Sequence, residues 1–283
     1  MKIAITGPNG FISQNIILHL GNKYDLILLS RKKLKSKNLK KKQIFKFDMS
    51  KNMIPKLSCD VLIHAAALTP INKNFKNYHQ INFLSLKKII RNIKIKKKII
   101  FLSTSNIYRN QKKNFNLREN SKIDIRKLDQ YAKSKYKSEL FLKNLDKKKY
   151  YFKKLILRLP GIIGKDSHPN FINNLKEKII KKKKFSLYGP TNPFNNVCHI
   201  NHLVKIIEIL IKKKINKNFE IFNVGAKNPL QISEILKLFN KGKRISFSSA
   251  KKEHVFTLNV DKLNKYYKNN PSTKFVLKKY FEE

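Results

Sequence analysis

The stretch that decides the fold is "TGPNGFIS", Thr6–Ser13, which follows "KIAI" directly at the start of the chain. Residues 2–6, "KIAIT", form a short, nearly all-apolar run, as a strand buried on both faces of a parallel sheet requires. After Gly10, "FISQNIILHL" (11–20) carries helical periodicity. Two glycines three apart between a strand and a helix allow a tight turn at Gly7 and a close backbone approach at Gly10. Around Asn9, Phe11 and Ile12 the helix-opening amides then point at an anion outside the strand end, with the helix dipole behind them. A dinucleotide pyrophosphate suits that position. Where a third glycine serves close helix–strand packing, this chain has Ser13, a small side chain that leaves the other two positions intact.

The same texture recurs at helix-sized intervals. "LILL" (26–29), "VLIHA" (61–65), "IIFLS" (99–103) and "LILRL" (155–159) read as buried strands. Between them, "INFLSLKKIIRNI" (81–93) and "YAKSKYKSELFLKNL" (131–145) read as helices. Strand, helix, strand in this rhythm predicts an α/β, Rossmann-type doubly wound parallel sheet. After Pro160 turns become frequent, and a helix at 202–213, a strand at 220–225 and a helix at 232–240 follow. The expectation is a cofactor-binding Rossmann domain over 1–160 and a smaller C-terminal substrate lobe over 161–283. That lobe interleaves with late sheet elements at about 197–225.

The 283 residues include 64 Lys plus Arg against 17 Asp plus Glu, a formal net charge of +47. Such a balance is an electrostatic footprint for nucleic acid or an anionic membrane. The lysine runs are scattered along the whole chain, though, and the excess is nearly all Lys, whereas base readout favours Arg. Asn and Ile are abundant too, and A/T-rich codons encode all three. Genome composition is therefore the simpler reading, with no specific nucleic-acid partner and no membrane span expected. Cys59 and Cys198 have no paired spacing, and no secretory signal is visible, so the cytoplasm is the expected compartment.

Ligands of an open parallel sheet bind at the carboxyl ends of its strands. At the end of strand two, "LLSRKK" offers Ser30 and Arg31 where an NAD-selective site usually has a carboxylate. A guanidinium there suits a 2′-phosphate and favours NADP over NAD. Tyr131 and Lys135 lie four apart on a predicted helix, hence on one face. A nearby ammonium lowers a phenol's pKa and makes it a usable general acid or base. "FLSTSNIY" places hydroxyls at Ser103, Thr104 and Ser105 on the fourth strand's end, so loop, hydroxyls and Tyr/Lys pair converge. No metal ligand set is expected.

These motifs resemble the extended short-chain dehydrogenase/reductase family, the NAD-dependent epimerase/dehydratase group, from residue 1 to about 262. "TGPNGFIS" is similar to its glycine loop, "FDMSK" to the segment whose Asp (here Asp48, followed by Met49) reaches the adenine, and "VLIHAAA" to the strand whose alanines (Ala65, Ala66, Ala67) line the cofactor. "FLSTSNIY", "YAKSK" and "LRLPGIIG" resemble the hydroxyl segment, the Tyr-x-x-x-Lys pair and the stretch, with Pro160, that crosses near the nicotinamide. The resemblance implies that Thr104 holds the substrate oxygen, Tyr131 exchanges the proton, and Lys135 binds the nicotinamide ribose and depresses the pKa of Tyr131. It implies a sugar or nucleotide-sugar substrate, contacted by Thr104, Ser105, Asn170, Asn174 and Lys251, and a homodimer.

Two departures matter. Family dehydratases carry Asp-Glu directly after the active hydroxyl, where this chain has Ser105 and Asn106, so a dehydratase is disfavoured. Many nucleotide-sugar members carry an arginine for the diphosphate where this chain has Asn195. A non-catalytic NADP-binding regulator of the same fold is the alternative; the presence of both Tyr131 and Lys135 argues against it, and +47 alone suggests a nucleic-acid binder.

Overall fold

The structure, a computed structural model, describes residues 1–32, 42–70, 77–111, 115–181, 186–239, 246–248 and 256–283. The chain forms two compact units. One comprises Met1–Ile107, Leu128–Arg158 and Val204–Phe222; the other comprises Tyr108–Lys127, Leu159–Leu203 and Asn223–Glu283.

The first unit is built on a seven-stranded parallel sheet. Its strands are β1 (Lys2–Thr6), β2 (Asp25–Ser30), β3 (Lys42–Lys46), β4 (Leu57–His64), β5 (Ile93–Thr104), β6 (Lys153–Leu159) and the edge strand Phe219–Asn223. Across the sheet the order is edge strand, β6, β5, β4, β1, β2, β3. The chain runs outward from β1 to β3, then returns to β4 on the other side of β1. This reversal is the switch point of a doubly wound sheet, where strand ends leave a crevice. Helices α1 (Phe11–Leu20), α2 (Ser85–Asn92) and α3 (Gln130–Lys143) belong to the same unit. Its core includes Ala4, Ile27, Leu62, Ile89, Ile99, Phe101 and Ile156.

Two elements differ from the expectation. The predicted helix over 81–93 is a π-helical turn, His79–Leu84, followed by α2, and β5 starts at Ile93 rather than Ile99. "IKIKKK" puts Ile93 and Ile95 in the core with Lys94 and Lys96 in solvent, the two-residue alternation of a strand half exposed at its entry. β3 is an edge strand without a fully buried residue, so "KQIFK" lacks the apolar run that marked the others.

Charge shapes the first unit as well. Glu208 accepts from His19 (2.5 Å), Lys23 (3.0 Å) and Lys212 (2.8 Å). Burial works to raise its pKa, but these three partners hold its carboxyl down at about 2. Lys98 donates to the carbonyls of Leu210 (2.9 Å), Ile211 (2.7 Å) and Lys213 (2.6 Å), closing the C-terminal end of the helix Ile200–Lys212.

The second unit has its own core, with Ile163, Ile172, Val197, Ile235 and Leu277 among its members. Buried Asn195 ties three segments together: its carbonyl accepts from Leu258 N (2.9 Å), and its amide donates to Leu258 O (2.8 Å) and Ala226 O (3.2 Å). His199 pairs with Glu283 (2.9 Å) and His202 with the Tyr267 hydroxyl (2.7 Å).

Candidate active site

Register brings the strand ends together, with Thr6 beside His64 and His64 beside Phe101. Gly7 turns the chain out of β1 at φ +67°, the left-handed region that favours glycine. A Cβ there would stand 3.0 Å from Ala66 Cα and 3.1 Å from Ala66 Cβ, so both backbone and space demand glycine. Gly10 is different. Its φ is −76°, and a Cβ would meet only the Gly7 carbonyl, at 3.4 Å. The fold itself does not require glycine at position 10, and the N-cap residue of α1, Gly10, brings no side chain of its own to the helix start. A helix start without a side chain at Gly10, with Ala65, Ala66 and Ala67 half-buried in the chain's β4 exit, fits a phosphate-bearing dinucleotide. Ser13 is buried, its hydroxyl 3.4 Å from the Thr6 carbonyl, so it packs under the loop without entering it.

Thr6 is the hub that sequence reasoning missed. Its hydroxyl accepts from the amides of Ala65 (3.1 Å) and Ala66 (2.9 Å) and is hydrogen-bonded to His64 Nδ1 (2.9 Å). Burial and the neighbouring Lys135 push His64 down to about 3, so its ring is neutral and Nδ1 can accept the Thr6 proton. The segment that presses on Gly7 is thereby fixed to β1. The available signal was a threonine at a strand end directly before the glycine.

The ends of β2 and β3 are tied by Phe47 N to Ser30 O, 2.9 Å. Asp48 accepts from Ser50 N (2.9 Å) and Ser50 Oγ (2.6 Å). Burial opposes its charge, but the Ser50 and Lys51 bonds and the Arg31 guanidinium hold it below the ordinary carboxylate range. Arg31 is exposed, and Met49 packs partly against the core.

On α3, Asp129 caps the helix by accepting from Ala132 N (2.7 Å), which fixes Tyr131 in the first turn. Tyr131 lies beside Thr104, whose hydroxyl accepts from Asn106 N (3.2 Å), and its ring meets Tyr78 edge-on at 6.0 Å. Burial pushes the phenol up to about 12 against the easing effect of the Thr104 hydroxyl, with Asp129 and Tyr78 adding to the rise. The expectation that Lys135 depresses this phenol is corrected here. Lys135 is itself only 3% exposed, its ammonium lies 4.4 Å from the Phe101 ring centroid, and burial brings it down to about 7. A lysine so desolvated is part-neutral at physiological pH and lends the phenol less than a full charge. Asn82, also missed, clamps Leu68 through both N and O (2.8 and 3.0 Å) and reaches Ser134 on α3 (3.1 Å).

The first unit thus brings together Gly7, Ala66, Thr104, Tyr131 and Lys135 through the strand ends and α3. Ser105 is buried in the turn after β5. In the second unit, Pro160 precedes the short strand Gly161–Ile163. The Asn170 side chain is committed to capping the helix Phe171–Ile180, accepting from Ile172 N (3.0 Å) and Asn173 N (3.1 Å) and donating to Ile162 O (3.3 Å). Asn174 is exposed, and Lys251 lies outside the described residues.

Residues 3–225 match the model of the NAD dependent epimerase/dehydratase family. A dTDP-D-glucose 4,6-dehydratase of Dictyostelium discoideum is 26% identical over 272 residues, covering 82% of this chain. The match spans 62% of that relative's length. The chain shares its fold with UDP-glucuronic acid 4-epimerase from Bacillus cereus in complex with NAD, at TM-score 0.77 and 20% identity, covering 100% of this chain and 96% of that one. UDP-glucose 4-epimerase from Thermotoga maritima, with UDP-glucose, gives TM-score 0.77 at 18% identity, covering 100% and 98%. Among the described residues no helix is long and apolar enough to cross a membrane. With a glycine turn closed on Ala66 at the end of β1, Tyr131 beside Thr104 and Lys135 one turn along α3, and a family match across most of its length, this chain belongs to the NAD-dependent epimerase/dehydratase family.

Proposed function

We propose that the chain is an NAD(P)-dependent epimerase or reductase working on a sugar or nucleotide-sugar, with the sheet unit as cofactor domain and the second unit as substrate lobe. The observation that carries this reading is the placing of the Tyr131 phenol beside Thr104 at the carboxyl end of β5, with Lys135 one turn further along α3. When bound, a nicotinamide dinucleotide supplies a hydride acceptor and donor. Gly7, Asn9, Gly10, Phe11 and Ile12 hold its pyrophosphate; Asp48 and Met49 take the adenine side, and Ala65, Ala66, Ala67 and Pro160 line the rest. Arg31 favours a 2′-phosphate, hence NADP over NAD. Thr104 orients the substrate oxygen. With its pKa near 12, Tyr131 keeps its proton at neutral pH and serves first as the acid that protonates a substrate carbonyl. Lys135 grips the ribose and, when charged, eases the reverse proton transfer. Ser105, Asn174 and Lys251 contact substrate.

Ser105 and Asn106, where a dehydratase would need carboxylates, support hydride transfer without elimination. The family's habit of pairing through the Tyr-bearing helix supports a homodimer, and the cytoplasm is the compartment. The test is Tyr131→Phe, assayed with a nucleotide-sugar panel and either dinucleotide: turnover is lost while NAD(P)H fluorescence titration shows unchanged affinity. Retained turnover overturns the assignment. Absorbance near 340 nm in freshly purified protein separates an epimerase, which keeps its cofactor through a cycle, from a reductase, which exchanges it.

A further inference from the structure

One turn beyond Lys135 on α3 begins a buried charged cluster with no role in the chemistry above. Glu139 and Arg158 have side chains only 2% and 3% exposed. Arg158 grips Glu139 with two nitrogens, Nη2 at 2.7 Å and Nε at 3.1 Å from Oε2. The other carboxylate oxygen accepts a short hydrogen bond from Ser103, the residue before Thr104. Glu139 stands four residues after Lys135 on α3, so the two side chains are neighbours on one helix face. Three elements are thus joined behind the site: the end of β5, α3 and β6.

A buried ion pair contributes little net stability, because desolvation offsets attraction, so stability alone gives a weak reason for one here. We propose that Glu139, anchored by Arg158, is a positioning residue: it holds the end of β5 through Ser103, so fixing Thr104, and its carboxylate favours the charged form of Lys135. This inference rests on the reading of Thr104, Tyr131 and Lys135 given above. The groups facing Lys135 are His64 from β4, Phe101 from β5 and Glu139 on its own helix; Arg158 from β6 and Ser103 face Glu139, and Tyr136 feels both charges of the pair. His64 is neutral and Phe101 offers only its ring face. Glu139 is the one group acting to raise the Lys135 pKa, and burial still outweighs it, leaving the ammonium at about 7.

The experiment titrates Lys135 directly. Protein labelled with 13C at the lysine ε-carbon is followed by NMR from pH 5 to 10, and the Lys135 resonance is assigned by its loss in Lys135→Met. In Glu139→Gln, which preserves volume and an acceptor for Ser103, the Lys135 midpoint falls by about one pH unit, the low end of what a nearby opposite charge supplies. The alkaline limb of turnover falls with it. An unmoved midpoint overturns the proposal, since a merely structural Glu139 would alter the melting temperature and leave the titration alone. If Glu139→Gln strands Arg158 and fails to fold, the double variant Glu139→Gln with Arg158→Met removes both charges, and the same downward shift is expected. Turnover retained in Tyr131→Phe would overturn the site reading and leave the titration result standing; turnover lost there with an unmoved Lys135 midpoint would overturn only this inference.

Discussion

Replacing Thr6 by Val removes one hydroxyl at nearly constant volume and tests whether that atom organises the cofactor end of the sheet. Thr6 is fully buried, and three polar groups depend on it: the amides of Ala65 and Ala66, at 3.1 and 2.9 Å, and His64 Nδ1 at 2.9 Å. A buried polar group stripped of its partner costs roughly 1–3 kcal/mol. His64 is 1% exposed and bears the full penalty, whereas the half-exposed alanines recover part of theirs from water. The sum is about 3 kcal/mol, or roughly 6 °C in melting temperature for a chain of this length. Circular dichroism melts of wild type, Thr6→Val and Thr6→Ser measure it, with Ser restoring most of the loss because it returns the hydroxyl. Dinucleotide affinity should weaken in parallel in Val, because the freed Ala65–Ala66 segment no longer presses on Gly7. A Thr6→Val melting point within about 1 °C of wild type, or a Ser variant as unstable as Val, would refute the reasoning.

The two loop glycines separate folding from binding. Gly7→Ala meets both a left-handed backbone and Ala66 at 3.0 Å, so thermal melts should show a loss of about 2–3 kcal/mol, whereas Gly10→Ala should leave stability within about 1 kcal/mol and weaken dinucleotide binding about tenfold or more by fluorescence titration. Lys135 gives a pH signature. Its folded pKa, about 7, lies below the ordinary 10.5, so between those values the unfolded chain holds a proton the native one lacks, and its contribution to stability rises with pH. Melts of Lys135→Met against wild type should show the variant's relative advantage greatest below pH 7 and shrinking towards pH 10. Cys59 and Cys198 are 1% and 4% exposed, and burial pushes both thiols up to about 12, so neither should react with a thiol reagent at pH 8 until denaturant is added.

The strands of the sheet were legible where both faces are buried, because such strands write themselves as unbroken apolar runs, as in β2 and β6. β3 and the first half of β5 were not, since a strand with one wet face spends half its positions on lysine and glutamine. At the candidate site, Gly7, Thr104, Tyr131 and Lys135 stood out in the sequence because the chemistry proposed for them depends on residue type at a fixed spacing. Thr6, Asn82 and Glu139 could not, because each acts through partners far away in sequence (58 residues in the case of Thr6 and His64). The phenol's pKa was misjudged for a related reason: spacing places Lys135 near Tyr131, but only the packing of Phe101 and His64 reveals how dry that ammonium is.

Glu208 carries a consequence for how this chain tolerates change. With 64 basic side chains and 17 acidic ones, cations far outnumber the carboxylates that could pair with them, and Glu208 already serves Lys23 and Lys212 as well as the His19 ring. Substitution is therefore asymmetric. Exchanging an exposed lysine for a neutral residue relieves repulsion, whereas losing one acid releases a small group of like charges onto each other. Added salt should stabilise this protein, since at ~0.1 M the repulsion between cations more than ~10 Å apart is largely screened while the short contacts at Glu208 persist. The acids, few as they are, set how far the lysine excess can drift before the sheet unit feels it.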